Sequence, residues 1–342
     1  MAKPNDIIQW FGAVRGQPVP KFITGLRGTG KTGILLWLRD RILSEGVPAE
    51  NTILLDSDDP VLRRMMTHEQ VLDHVFGRLP SDGPTYIFIR EAAALPGAEV
   101  VIGTLAASQR REIFATSSSR RLLDCGLAGY FSTRLAHYEV LPGESDVPPT
   151  PDLARARWNE IFLNDVLAPN RILEVSIAGR IAGWLSDHIG EPLSLRSIAA
   201  AVSPARRILS PHTVESYLAS LEDAHLVEKV LRWDTDEEWV QKTGYRYFFT
   251  DPGLRLAHFG PAPDNEARRM ALNRAWLHLR RAADEVFTTS GSQKSDFISR
   301  TEHAYTRWKL NEKGVLERLK AGNTGGKPVP AAKADGGPEK RR

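Results

Sequence analysis

Gly25-Leu-Arg-Gly-Thr-Gly30-Lys31-Thr32 is the stretch of this sequence whose residue types and spacing could do the most specific chemistry. It satisfies the pattern GxxxxGK[ST] in full. Glycines so spaced let the backbone curl until several N–H groups point inward at one anion. A helix starting near Lys31 adds the partial positive charge of its N-terminus. The Lys31 ammonium can reach the outer phosphates of a polyphosphate, and the Thr32 hydroxyl is suited to ligate Mg2+. The expected nucleotide contacts are Gly25, Gly28, Thr29, Gly30, Lys31, Thr32 and Gly33. The expected cofactors are a nucleoside triphosphate and Mg2+.

A loop of this kind works with an acid at the end of a later strand, which holds Mg2+ through water, and often with a following glutamate that orients the attacking water. The apolar run "YIFIRE" offers Arg90 and then Glu91 at that place. Glu91 can serve as general base, so Lys31 and Glu91 are the expected catalytic pair. Arg90 cannot hold a cation. Asp56 and Asp58 are candidates for the missing acid, and Arg90 could instead lie beside a phosphate. Without the aspartate, hydrolysis should suffer more than binding. Restoring an acid at position 90 is then expected to raise turnover.

The elements that must position these groups follow from apolar periodicity. "KFIT", "TILLD", "YIFIR", "REIFATSS" and "YEVL" read as strands, with amphipathic segments between them. Short apolar strands separated by helices imply a parallel sheet covered on both faces. "PGESDVPPTPD" (142–152) reads as a linker or exposed loop. Beyond it the chain reads as helical, with Ser210 as N-cap and Pro211 opening a helix whose apolar face holds Val214, Tyr217, Leu218 and Leu221. Two strand-like runs, "LVEKVLRW" and "YRYFFT", follow, and three helices then a hairpin make a winged-helix pattern. The expected class is α/β: a P-loop NTPase parallel sheet, a mostly helical winged-helix domain, and a small C-terminal region. The expected domains are 1–141 (ATPase core), 142–170 (linker and connecting helix), 171–260 (winged helix), 261–318 (C-terminal region) and 319–342 (disordered tail, Gly-, Pro-, Ala- and Lys-rich).

Composition narrows the function. Of the 342 residues, 42% are apolar and 25% charged, which suits a globular chain. A net charge of +3 is too small to argue for nucleic acid by itself. The single cysteine, Cys125, excludes an internal disulfide and reads as a small buried hydrophobe. No apolar run of transmembrane length occurs and the N-terminus lacks a signal-peptide core, so a cytoplasmic location and no membrane partner are expected.

These residues resemble the bacterial and archaeal AAA-type ATPases that pair an AAA domain with a C-terminal region of the DUF4143 type. "ITGLRGTGKT" resembles that family's phosphate loop, "LLDSDDPVLR" its second strand and acidic turn, and "FATSSSRRLL" its fourth strand and serine-rich sensor. "STRLAHYEVLP" resembles the end of its ATPase core, and "SPHTVESYLASLEDAHLVEKV" with "KTGYRYFFTDPGLR" its winged-helix region. The resemblance implies an AAA-like P-loop sheet, a small degenerate α/β C-terminal region, and adenine rather than guanine, so that the expected cofactors are ATP and Mg2+. It makes Ser117, or Ser118, the polar sensor of the terminal phosphate; a hydroxyl bonded to its own backbone is the competing reading. It places Arg134 where the family carries an arginine that reaches nucleotide, its own or a neighbouring subunit's; a solvated surface arginine fits equally.

Longer members end in a genuine or degenerate restriction-nuclease-like fold. The stretch "VFTTSGSQKSDFISR" puts Asp296 at its acidic position. Glu302 and Lys309 are too far apart for the ExK spacing of a metal nuclease, so Asp296 reads as a structural acid. The helix after Ser210 presents His212, Glu215, Ser216, Glu222 and Asp223, without lysine or arginine, which disfavours reading of a DNA groove. Arg206 and Arg207 just before it are the available phosphate contacts. Trp233 and Trp239 read as packing residues, and the scattered histidines give no zinc spacing. Three readings stand: a slow Mg-dependent ATPase coupled to a protein partner or a homo-oligomer; a nucleotide-dependent switch or scaffold with little turnover; and a DNA-binding regulator with a vestigial ATPase core.

Overall fold

A computed structural model describes residues 4–124, 135–143, 150–205, 207–234, 239–289, 295–302 and 304–319. Cys125, Arg134, Arg206, the middle of the linker, the Trp239 side chain and the tail from 320 lie outside the described residues. Contacts divide the chain into two units. The first comprises the described parts of Met1–Asp187, Leu195–Glu228 and Phe249–Ala262; the second those of His188–Ser194, Lys229–Phe248 and Pro263–Arg342.

The first unit is built on β1 (Lys21–Thr24), β2 (Thr52–Asp56), β3 (Thr85–Arg90), β4 (Arg111–Ser117) and β5 (Ala136–Glu139). They form one sheet in the order β2-β3-β4-β1-β5, and every neighbouring pair is parallel. Parallel strands need crossover connections, supplied by α2 (Lys31–Ser44), α3 (His68–Phe76) and α4 (Ala98–Ala106), while α1 (Pro4–Val14) precedes β1. The fifth strand starts two residues earlier than the apolar run "YEVL" suggests. It does so because β1 fixes the register, with Lys21 opposite Ala136 and Thr24 opposite Glu139. Thr67 caps α3 through a capping box with Gln70 and so sets where that helix begins.

Strand side chains alternate between faces, and here both faces are buried. Phe22, Ile87, Ile89, Ile113 and Ala115 join Val71, Val101, Ile102 and Leu105 in one cluster. Ile23, Phe88 and Phe114 join Phe11, Leu35, Leu38 and Ile42 in the other. Phe88 and Phe114 stack with centroids 5.4 Å apart. A charged strand residue is buried with them. Lys21 is fully buried, and its Nζ donates to Gln17 O at 2.7 Å and pairs with Glu112 at 2.8 Å.

Helical segments complete this unit: α5 (Arg121–Asp124), α6 (Pro151–Ile161), a π turn (Phe162–Leu167), α7 (Val175–Asp187), α8 (Leu195–Val202), α9 (Pro211–Asp223) and α10 (Pro252–Phe259). The Ser210 hydroxyl accepts from Thr213 N, capping α9 as its sequence predicts. Val214, Leu218 and Leu221 are buried and Tyr217 is half-buried. Asp223 departs from expectation: its side chain faces inward, at 11% exposure.

The second unit holds a six-stranded sheet in the order β11-β10-β9-β8-β6-β7. Its members are β6 (Val227–Asp234), β7 (Trp239–Phe249), β8 (Glu285–Thr289), β9 (Phe297–Thr301), β10 (Ala304–Leu310) and β11 (Leu316–Arg318). β6 pairs with β8 in parallel, so β6 and β7 are two members of a larger mixed sheet instead of a free two-stranded wing. Helix α11 (Glu266–Ala282) contributes Trp276, which is fully buried and stacks on Phe248 at 5.3 Å. Trp233 packs between Phe287 and Tyr305, the packing role its sequence context suggests.

Asp296 accepts from Leu310 N at 2.8 Å and lies 3.8 Å from Arg268. It ties the start of β9 to the end of β10. Glu302 follows the far end of β9, so the ExK partners are separated in space as well as in sequence.

Candidate functional site

The glycine loop lies between β1 and α2. Gly25 has φ 141, and an added Cβ there would collide with the backbone oxygen of Val140. Gly30 is the N-cap of α2 with φ 93, a left-handed conformation that lets the loop turn directly into the helix. The α2 N-terminus therefore points at the loop, where the helix partial charge and free N–H groups favour an anion. Thr32 is half-buried in the first turn and Gly33 exposed beside it.

Lys31 is buried, at 3% exposure. Its ammonium donates to Gly25 O at 2.8 Å, Leu26 O at 3.1 Å and Ser118 Oγ at 3.0 Å, with Glu91 Oε1 3.7 Å away. Burial pushes its pKa down, and the Glu91 carboxylate opposes that shift. Thr29 Oγ1 donates to Leu26 O at 2.9 Å and holds the loop closed on itself.

Glu91 follows β3 in a left-handed conformation, φ 48, which is uncommon for a non-glycine residue and recurs at functional sites. Three hydrogen bonds hold it there. Its backbone N–H donates to Thr116 Oγ1 at 3.0 Å, and its carboxylate accepts from Ser118 N at 2.8 Å and Ser118 Oγ at 2.9 Å. Lys31, Glu91 and Ser118 thus form one connected group. The resemblance leaves Ser117 and Ser118 open as sensor; Ser117 is the last residue of β4 and Ser118 lies just beyond it, and their hydroxyls take different partners. The Ser117 hydroxyl turns back to Ser119 O at 2.8 Å, the local backbone bond of the competing reading. Ser118 is the serine that touches Lys31 and Glu91.

Arg90 belongs to a different cluster. β2 and β3 are in register with Asp56 opposite Arg90. The guanidinium donates from Nε to Asp56 Oδ1 at 2.6 Å and also pairs with Asp58. Asp58 is held below the usual carboxylate range, first by Arg90 and then by Arg63. Both aspartates that could replace the missing acid are therefore neutralised by the arginine that displaced it. This revises the expected effect of Arg90→Asp. The change sets a third carboxylate beside two others, and we expect it to lower stability by about 1 kcal/mol. Thermal unfolding checks this, and millimolar Mg2+ should restore part of the loss.

Sequence reasoning missed the residues that approach from the helical segments, since each lies 86 or more positions from its partner. Arg27 Nε and Nη2 donate to Asp165 Oδ2 and Oδ1 at 2.8 and 2.6 Å. Arg157 Nη2 donates to Arg27 O at 3.2 Å, and Arg157 pairs with Asp251 at 3.3 Å. A Cβ added to Gly28 would sit 3.2 Å from Arg157 Nε, so this side chain covers the loop at that point. On the other side, Ser119 Oγ donates to Asp223 at 2.9 Å and Arg121 N to Asp223 Oδ1 at 2.8 Å. His225, next to it, has φ 56 and lies 3.0 Å from Glu139. Burial pushes its pKa down to about 4, which leaves it neutral near pH 7.

Among the described residues, no three His, Cys, Asp or Glu side chains gather as a metal-holding group. Of the described residues, no helix is long and apolar enough to cross a membrane.

A five-stranded parallel sheet whose first strand leads through a glycine loop into a helix opening with Lys-Thr is the P-loop NTPase fold. The AAA domain family model matches residues 17–145, the segment that carries this sheet and loop. A second model, a domain of unknown function (DUF8612), matches residues 149–265, where the resemblance had suggested a DUF4143-type region. An uncharacterized protein of Haemophilus influenzae is 24% identical over 317 residues, 82% of this chain and 79% of that one. The Walker-type ATPase of Pyrococcus abyssi aligns at 11% identity over 75% of this chain and 95% of that one, with a TM-score of 0.45. The ORC1 protein of Aeropyrum pernix, solved in complex with DNA, aligns at 12% identity over 82% of this chain and 94% of that one, with a TM-score of 0.31.

Proposed function

We propose that this chain binds ATP with Mg2+ at the 25–32 loop, hydrolyses it slowly, and passes the nucleotide state to the helical segments that touch the same loop. The observation that carries this reading is the buried Lys31 ammonium, held between loop carbonyls, Ser118 and Glu91. The residues present fit a nucleoside triphosphate: loop amides at a helix N-terminus, one buried cation, and a hydroxyl at Thr32. Thr32 would hold Mg2+ together with phosphate oxygens, and the metal would supply charge neutralisation on the phosphates. Glu91, pinned by two donors from Ser118, is placed to orient a water and take its proton.

Slow turnover follows from the acid count. Arg90 occupies Asp56 and Asp58, so β3 offers the site Glu91 alone. That same observation favours the second reading, a switch that binds without appreciable hydrolysis. Partner coupling rests on Ser119 and Asp223, which join the end of β4 to the end of α9. A protein partner or a second copy of the chain suits this arrangement better than DNA, because α9 itself carries no lysine or arginine.

The test is phosphate release with Mg-ATP for wild type and Glu91→Gln. We expect slow release by the wild type and about a hundredfold less by the variant, as when a positioned general base is lost. Equal rates in the two proteins would discard the hydrolase reading and leave the switch.

A further inference from the structure

Arg27 sits within the glycine loop, although the motif does not require its side chain. Its guanidinium makes a two-pronged contact with Asp165, and Nη1 lies 3.9 Å from Glu160. Asp165 comes from the π turn Phe162–Leu167, a rare backbone form that recurs at functional sites. It is 6% exposed, in a turn whose Phe162, Val166 and Leu167 are also buried. Arg27, Lys31, Glu91 and Asp165 all lie within electrostatic reach of one another. Each loop cation therefore has its own carboxylate: Glu91 for Lys31, Asp165 for Arg27.

The guanidinium fork fits a carboxylate and a phosphate by the same geometry. A buried carboxylate stays charged at tolerable cost only while its partner stays with it. We propose that Arg27 is a further phosphate-binding residue of the nucleotide site, and that Asp165 is an intramolecular competitor for its guanidinium. This inference rests on the nucleotide-binding reading and extends it. A phosphate that takes Arg27 leaves Asp165 buried and unpaired, so Asp165 must take up a proton or move toward water. Either outcome loosens the π turn, and the competition links phosphate binding to the helical segment through one ion pair. The burial of Asp165 works in the same direction: it raises the carboxyl pKa, while Arg27 holds it down.

The test is calorimetric titration of ATP into four proteins: wild type, Arg27→Ala, Asp165→Asn and the double variant, each checked for an intact thermal transition. Removing the competitor should tighten binding about fivefold, and removing Arg27 should weaken it about tenfold, at the low end of the roughly 5- to 150-fold range of coupled binding equilibria. The double variant should match Arg27→Ala alone, because a competitor has no effect once its target is gone. A purely structural Asp165 gives the opposite sign, since losing it would weaken binding. Unchanged or weaker binding by Asp165→Asn overturns the proposal, as does equal tightening in the Arg27→Ala background. Amide hydrogen exchange on the wild type is independent of variant folding: residues 162–167 should exchange faster with ATP, and slower exchange contradicts the proposal. A wild type that ignores ATP sinks the nucleotide reading itself, whereas normal wild-type binding with no gain in Asp165→Asn sinks this inference alone.

Discussion

Lys31→Ala is expected to weaken ATP binding by about a hundredfold or more, roughly 2.7 kcal/mol. The ammonium is 3% exposed and its donors are held by Gly25 O, Leu26 O and Ser118 Oγ, so the charge is fixed at the loop before any ligand arrives. A fixed charge loses little conformational freedom on binding. Burial also weakens the screening of its attraction for a phosphate. Alanine removes the cation and leaves Glu91 without its counter-charge beside the loop, so binding falls by more than one lost hydrogen bond. Calorimetric titration of ATP into wild type and variant measures the change. An affinity within threefold of wild type would mean that phosphates do not meet this side chain.

The second large effect is on stability. Glu112→Ala is expected to destabilise the first unit by about 3 kcal/mol, because it strands the buried Lys21 ammonium without its carboxylate. Lys21 is fully buried at the start of β1, its pKa already lowered by burial, with Glu112 at 2.8 Å opposing that shift. Glu112 also accepts from Gly16 N at 2.9 Å, so a second bond is lost. In a unit of this size the thermal midpoint should fall by roughly 6–12 °C. Replacing both partners, as in Lys21→Met with Glu112→Leu, should recover most of the loss, since apolar isosteres of buried ion pairs are often neutral. A midpoint unchanged in Glu112→Ala would show that Lys21 reaches water and that the pair contributes nothing.

The two partners of the site were unequally legible in the sequence. The loop is local: GxxxxGK[ST] fixes Gly25, Gly30, Lys31 and Thr32 within eight residues, and the structure puts them between a strand and a helix as that spacing requires. The strands were legible because short apolar runs buried on both faces have few other ways to fold. What closes over the loop was not. Asp165 and Asp223 are ordinary acids in helical stretches, with nothing nearby in sequence to mark them. Their partners lie 138 and 104 positions away and are set by tertiary packing. The π turn that delivers Asp165 has no sequence signature. The choice between Ser117 and Ser118 depends on which way one strand residue points, and a run of three serines does not settle it. Arg90 read as a defect of the site because its partners are chosen by the β2–β3 register, which puts Asp56 across from it. β6 and β7 read as a wing because the strands that extend their sheet, β8 to β11, come later in the chain.

The most direct test of the central claim is a calorimetric titration of purified, folded wild-type protein with ATP, with and without Mg2+. One site per chain is expected, with an affinity on the order of micromolar that Mg2+ strengthens. Heat no different from buffer dilution at millimolar ATP in both conditions would contradict it.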